Sequence, residues 1–282
     1  MTTEKLNILI PLDFSALSEQ AFLMADLLKK KLDVNIHLLH VIEANDSILA
    51  DHPDLSEAVD LKAFHQEEKD AEAYFNQIKE SGYDFQTHIK IGLLTDQIRL
   101  ATTELNIDLV IMSTHGVDGF MERISGSEAQ HVARYLQVPV ITLRPGTPVL
   151  QLKNILFVAD FEMFGKGIQI NLIKKLAIAF DSTIHLLQIL KEEDVPYVDE
   201  IEAQMKFFAD EHGIEKYEMH LYRDNKVASG IKNFNQEADM DLVCIRTHGR
   251  RGISHLWFGS IAERLVNHCL KPLLTFHLKT HA

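Results

Sequence analysis

Short apolar segments alternate with amphipathic segments along the chain. Four segments of the first half are rich in β-branched residues and apolar on both sides of the pleat: Ile8–Leu12, Ile36–Ile42, Leu109–Met112 and Val138–Leu143. This pattern is typical of strands that are covered on both faces. Between these segments, apolar residues recur at helical spacing, as at Ala21, Leu28 and Leu32. Because right-handed crossovers join such strands through helices, the order predicts a parallel, doubly wound sheet.

The two halves of the chain are copies of each other. IDLVIMSTHG at 107–116 matches MDLVCIRTHG at 240–249, whereas NILIPLDF at 7–14 matches NILFVADF at 154–161. The offset falls from 147 in the upstream pair to 133 in the downstream pair, so the second copy lacks about fourteen residues between its second and third strands. Copies near 140 residues long indicate duplicated domains. We expect domains at 1–147 and 148–282, joined near Pro145–Val149.

A long charged helix is expected within Ser56–Ser81 of the first copy, before Gly82. Its shorter counterpart is expected near Asp199–His212, before Gly213. These two helices occupy the part of the repeat in which the copies differ in length.

Charge and composition exclude several classes of partner. The chain has 28 Lys+Arg against 41 Asp+Glu, a formal charge of −13, so its general field repels nucleic acid and anionic membranes. No apolar run approaches the roughly 18 residues of a membrane span, and MTTEKLNILIPLD lacks the order of a signal peptide. We therefore expect a cytoplasmic protein. Cys244 and Cys269 lie in apolar segments without metal-ligand spacing, which favours buried thiols.

Residues suited to an anionic ligand follow the first and fourth strands of each copy. Strand one ends in an aspartate, which could accept hydrogen bonds from a ribose or a base. Strand four runs into a Thr-His-Gly sequence. After nine intervening residues a Gly-Ser pair opens a helix, where free N–H groups and a hydroxyl could bind phosphate. These residues are Asp13, Gly116, Gly126 and Ser127 in the first copy, and Asp160, Gly249, Gly259 and Ser260 in the second.

This combination of motifs resembles the universal stress protein family over essentially the whole chain, twice. The resemblance implies α/β, Rossmann-like domains, each with a five-stranded parallel sheet of order 3-2-1-4-5. It also implies pairing through the last strands, which makes the tandem chain an intramolecular pseudo-dimer. Members with the full glycine pattern commonly bind ATP, with Mg²⁺ carried by the nucleotide, whereas members that lack the pattern do not. Motif matching gives as contacts Asp13, Val41, Ser113, Gly116, Gly126 and Ser127, and Asp160, Ile189, Arg246, Gly249, Gly259 and Ser260.

Both copies depart from the family pattern at its first glycine, where Ser113 and Arg246 stand. Serine adds little bulk, so the first copy should tolerate a nucleotide near its backbone if φ is negative there. Arg246 could obstruct the nucleotide, or its guanidinium could hold a phosphate. The strand-three glycine, Gly92, is matched by Asn225, a residue type that tolerates the left-handed conformation.

Structural explanations compete with the binding hypothesis. The Gly-Ser pairs could serve only helix packing and capping, and the aspartates could only begin turns. His115 and His248 are expected to shape the glycine loop, because neither is accompanied by a nucleophile or a paired acid. His37 and His185, on the second strands, are expected to be core or surface residues without a catalytic role.

The sequence analysis favours a stress-response sensor or regulator that binds ATP in at least one half. The alternative hypothesis is a nucleotide-free interaction module with the same fold. A third and less favoured hypothesis is a phosphohydrolase. The chain lacks a GxGxxG after strand one, a P-loop, a GxSxG elbow and an HExxH helix, so any ATP hydrolysis should be slow and no catalytic or metal-binding residue is assigned. An unidentified protein partner and further association into a homodimer are left open.

Replacing Gly126 by valine tests the phosphate assignment of the first copy. The added side chain would fill the space that a phosphate needs near the backbone, so ATP affinity should fall about tenfold or more while the fold is retained. Titration calorimetry with ATP measures the affinity, and far-UV circular dichroism checks the fold. Unchanged affinity in the first half would refute the assignment.

Overall fold

The computed structural model describes most of the chain. The described residues are 5–14, 18–43, 61–80, 82, 84–113, 132–133, 135–147, 151–161, 170–247, 265 and 269–277.

The first half contains five strands and three helices within the described residues. The strands are β1 (Leu6–Leu12), β2 (Val34–Glu43), β3 (Gln86–Gly92), β4 (Leu109–Ser113) and β5 (Val140–Leu143). The helices are α1 (Ser18–Lys29), α2 (Leu61–Glu80) and α3 (Leu94–Glu104). β5 begins two residues later than its apolar pattern predicts. Pro139 directly precedes the strand and has no N–H to donate to a neighbouring strand.

The second half repeats this order with a shorter helix after its second strand. Its strands are β6 (Asn154–Val158), β7 (Thr183–Leu190), β8 (Tyr217–Arg223), β9 (Leu242–Thr247) and β10 (Leu273–His277). Its helices are α4 (Asn171–Phe180), α5 (Val198–Glu211) and α6 (Val227–Ala238), with a 3-10 helix at Glu192–Tyr197. The described part of α2 has 20 residues and α5 has 14, in agreement with the predicted shortening of the second copy.

All ten strands form one sheet. The order is β3-β2-β1-β4-β5-β10-β9-β6-β7-β8, so each half has the predicted order 3-2-1-4-5. Every neighbouring pair is parallel except β5 and β10, which pair antiparallel with Ile141 opposite Leu274. The hydroxyls of Thr142 and Thr275 donate across this seam to the carbonyls of Leu273 and Val140, at 3.4 and 3.3 Å. The predicted pairing of the two halves through their last strands is therefore confirmed.

Each face of the sheet is covered by one hydrophobic cluster that runs through both halves. One cluster joins the strands to helices α1, α2, α4 and α5, and contains Ile141 and Leu274. The other joins them to α3, α6 and the residues Val132, Ala133 and Leu136. Successive strand residues alternate between the two clusters, because side chains of a strand point to opposite faces in turn. Covering on both faces explains the continuous apolar runs of the strands.

Both cysteines are buried free thiols, as predicted. Burial raises the pKa of the Cys244 and Cys269 thiols above the ordinary range, because the thiolate would be desolvated. Neither is therefore activated as a nucleophile. Among the described helices, none has the length and apolar character needed to cross a membrane.

Leu274→Ala tests the contribution of the seam to stability. Leu274 is 0% exposed in the core, so truncation should lower the free energy of unfolding by about 2–5 kcal/mol through lost burial and a residual cavity. Leu270→Ala is the matched control because Leu270 is 65% exposed, and it should change stability by no more than about 0.5 kcal/mol. Urea unfolding followed by circular dichroism measures both. Equal effects would contradict a packed seam.

Candidate nucleotide site and histidine pairs

The strand register brings predicted site residues of the first half to one edge of the sheet. Leu12 is opposite His40, so the next residues, Asp13 and Val41, lie at the same level. The register of β1 with β4 places the end of β1 beside Ser113. Asp13, Val41 and Ser113 therefore meet at the carboxyl edge of three neighbouring strands.

The same construction holds in the second half. Val158 is opposite Leu187 in β7 and Ile245 in β9. Extending these registers by one or two residues places Asp160 level with Ile189, and Arg246 beside the end of β6. The two halves thus bring equivalent positions together at equivalent edges.

The side chains of Val41 and Ile189 are buried in the cluster on the α3 and α6 face. The two side chains can therefore provide an apolar surface next to the carboxyl edge of the sheet, where the backbones of the two residues lie. Asp13, Ser113 and Asp160 are half-buried. Ser113 ends β4 without a positive φ, which meets the condition set for tolerating a ligand close to its backbone.

The turn after β1 has an unusual conformation in the first half. Phe14, directly after Asp13, has φ +62°, a left-handed conformation that is rare for a bulky side chain. Its ring stacks on His40 with centroids 4.1 Å apart and also contacts Tyr74. His40 Nδ1–H donates to the carbonyl oxygen of Leu12 at 2.9 Å. The histidine therefore holds both the strand end and the ring that follows it.

The equivalent turn of the second half is built differently. Gln188 replaces His40, and its Oε1 accepts the backbone N–H of Phe161 at 3.0 Å. The Phe161 ring is buried against Phe157 and Phe208, with centroids 6.3 and 5.3 Å apart. Asp13 and Asp160 consequently begin turns of different shape, although their strands superpose in register.

Asn225 does not share the backbone conformation of Gly92, the residue to which the sequence comparison matched it. Gly92 has φ +142°, and a Cβ there would lie 2.7 Å from the side-chain nitrogen of Gln97. Asn225 does not have a positive φ. The sheet register places Asp224, not Asn225, at the level of Gly92, so the chain of the second half leaves this strand by another path.

The remaining predicted site residues lie outside the described residues. They are Gly116, Gly126, Ser127, Gly249, Gly259 and Ser260, together with the loop histidines His115 and His248. Arg246 belongs to β9 and lies opposite Phe276 of β10. Both glycine segments follow β4 and β9 in the sequence.

Comparison with known protein families identifies the family to which the chain belongs. The sequence profile of the Universal stress protein family matches residues 6–144 and, separately, residues 152–277. The chain belongs to the universal stress protein family. The two matches leave residues 145–151 between them, and the domain boundaries 1–147 and 148–282 stay a prediction. A comparison with curated protein sequences found no significant match.

Solved structures share the tandem fold of this universal stress protein. A universal stress protein from Archaeoglobus fulgidus DSM 4304 is 18% identical, with a TM-score of 0.68, and the alignment covers 96% of this chain and 98% of that one. A functionally unknown protein from Pseudomonas aeruginosa PAO1 is also 18% identical, with a TM-score of 0.63 and coverage of 98% and 94%. The cytoplasmic domain of a prokaryotic cation chloride cotransporter aligns at 11% identity and a TM-score of 0.50, covering 96% and 95%. At these identities the likeness concerns the fold.

Both halves of this universal stress protein contain a cross-strand histidine pair that the sequence analysis did not identify. His37 Nδ1 lies 3.1 Å from His88 Nε2, and His185 Nδ1 lies 2.9 Å from His220 Nε2. The rings stack with centroids 5.3 and 5.2 Å apart. His37 and His185 are buried, as expected of core residues, but each is hydrogen-bonded to a specific partner.

The signal for these pairs was present in the repeat. The second-strand histidines recur at an offset of 148 and the third-strand histidines at 132, on neighbouring strands of both copies. Burial lowers the pKa of all four imidazoles below their usual value. At neutral pH they are therefore neutral rings.

Acidification should destabilise this universal stress protein, and the pair in the first half should contribute. His37 and His88 have lowered pKa values when folded, so the unfolded chain binds more protons below about pH 6.5, and stability is lost as pH falls through the folded pKa values. Lys90 lowers the pKa of His88 further, whereas Glu104 opposes that shift.

The measurement is urea unfolding at pH 7.5 and 5.5, with chelator present. The variant in which His37 and His88 are both replaced by glutamine should lose less stability over this interval than the wild type. A variant with the full wild-type pH dependence would show that the pair does not contribute.

Proposed function

We propose that this universal stress protein is a cytoplasmic stress-response sensor or regulator that binds ATP, with its Mg²⁺, at the carboxyl edge of at least one half. The observation that supports it is the convergence of Asp13, Val41 and Ser113 at one sheet edge. Asp160, Ile189 and Arg246 occupy the equivalent positions of the second half.

The position of this edge in the sheet suits a nucleotide. β1 lies between β2 and β4, so the strand order reverses direction at β1. The helix after β1, with Met24 and Leu28, packs on one face, whereas Val132 and Leu136, which follow β4 in the chain, pack on the other. Doubly wound folds bind their ligands in the crevice where two such connections diverge to opposite faces, so we expect the ligand at this edge.

The side chains at this edge fit different parts of the ligand. A carboxylate such as Asp13 accepts hydrogen bonds from ribose hydroxyls or from a base amino group. The small side chain of Ser113 leaves space at the end of β4. Gly-Ser sequences follow later in the chain, and this residue combination suits phosphate when it opens a helix. Arg246 stands where the first half has Ser113, so the two halves should differ in affinity.

Separate alanine substitutions of Asp13 and Asp160 test the proposal and identify the half that binds. Loss of a charged hydrogen-bond acceptor is worth roughly 1.5–3 kcal/mol, so the Kd for ATP should rise about tenfold or more in the half that binds. Titration calorimetry with Mg²⁺-ATP gives affinity and stoichiometry for each variant.

Asp33→Ala is the matched control for these variants. Asp33 lies before β2, at the opposite edge of the same half, and forms an exposed ion pair with Lys5 at 3.7 Å. Its removal should leave ATP affinity unchanged. Absence of heat and of a thermal shift at millimolar ATP in the wild type would overturn nucleotide sensing and leave the interaction module as the function.

A further inference from the structure

We propose that His185, Glu218 and His220 form a binding site for a divalent transition-metal ion of the Zn²⁺ class in the second half. His185 belongs to β7, and Glu218 and His220 belong to the neighbouring strand β8. Their three ligand atoms face one another within 4.8 Å.

The separations of these atoms match a coordination triangle. His185 Nδ1 lies 2.9 Å from His220 Nε2 and 3.6 Å from Glu218 Oε2, and His220 Nε2 lies 3.8 Å from the same oxygen. Zn²⁺ bonds to imidazole nitrogen and carboxylate oxygen at about 2.0–2.2 Å, so tetrahedral ligands stand roughly 3.4 Å apart. The three observed separations bracket that value, and small side-chain adjustments would accommodate the ion.

An outer contact orients His185 for this role. Its other nitrogen, Nε2, lies 3.3 Å from Asn154 Oδ1, which can only accept, so the proton is on Nε2 and the lone pair of Nδ1 faces Glu218 and His220. Metal-binding histidines commonly donate their second N–H in this way. The ring of His220 is positioned by Phe234 of α6, with centroids 5.0 Å apart.

The ligand set suits a transition metal with one open position. Two imidazoles and one carboxylate are ligands that Zn²⁺ and Co²⁺ accept, whereas Ca²⁺ and Mg²⁺ prefer oxygen alone. Glu218 is 61% exposed, so the site opens to solvent on its side. Water would complete the coordination.

The first half provides an internal comparison. It has the same histidine pair, His37 and His88, but Gln86 occupies the position of Glu218. The equivalent of Asn154 is Asn7, whose Oδ1 accepts from the Asn35 amide at 2.9 Å. The first half therefore offers two nitrogen ligands without the carboxylate, and Asn7 is hydrogen-bonded to Asn35.

The metal site is separate from the proposed nucleotide edge. His185 precedes Ile189 by four residues in the same strand, a distance of roughly 13 Å at about 3.3 Å per residue. Metal binding can therefore be tested without nucleotide, and its failure would leave the nucleotide proposal untouched.

The test uses the full chain, treated with chelator and titrated with Zn²⁺ in a calorimeter. We expect one equivalent to bind tightly. Glu218→Gln, which copies the first half at Gln86, and His185→Gln should each weaken this binding about tenfold or more. His37→Gln, the same substitution in the other pair, is the matched control and should leave it unchanged.

Co²⁺ provides a readout specific to the coordination. The wild type should develop the visible absorption of tetrahedral Co²⁺, and Glu218→Gln should lose it while its metal-free thermal midpoint stays close to that of the wild type. Absence of stoichiometric binding would overturn the proposal. Binding that survives both second-half variants, or that His37→Gln weakens equally, would do the same.

Discussion

The antiparallel pairing of β5 with β10 is the contact on which the whole architecture depends. β5 has only four residues, yet it forms the boundary between the two five-stranded halves of the sheet. Left unpaired, it would expose backbone groups and apolar side chains at an edge, the arrangement that favours aggregation. Pairing within one chain removes this edge from both halves and lets the hydrophobic clusters on each face extend from one half into the other.

The fold could be predicted from the sequence because its determinants are local or repeated. Continuous apolar runs predict strands that are covered on both faces. The duplicated segments predict that the second half repeats the strands of the first. The conformation of Phe14 could not be predicted, because it depends on stacking against His40, a residue of another strand. The proximity of His185 to His220 likewise depends on the register between strands, which no single segment encodes.

Several differences between the halves fall at polar positions, while the strand order is retained. His40 becomes Gln188 and changes the turn after the first strand. Gln86 becomes Glu218 and places a carboxylate beside a histidine pair. A duplicated fold can tolerate such changes because stability comes from the buried strands, which leaves polar residues at strand ends and on the outer strand free to acquire separate roles.

The direction of the seam also determines how the molecule presents itself to others. Because β5 and β10 run in opposite directions and each half is parallel internally, the carboxyl ends of the two sets of strands point to opposite rims of the sheet. A rigid body that docks on one rim can reach the carboxyl edge of only one half. The carboxyl edges of the two halves are therefore separate surfaces, and a molecule bound at one edge would leave the other accessible.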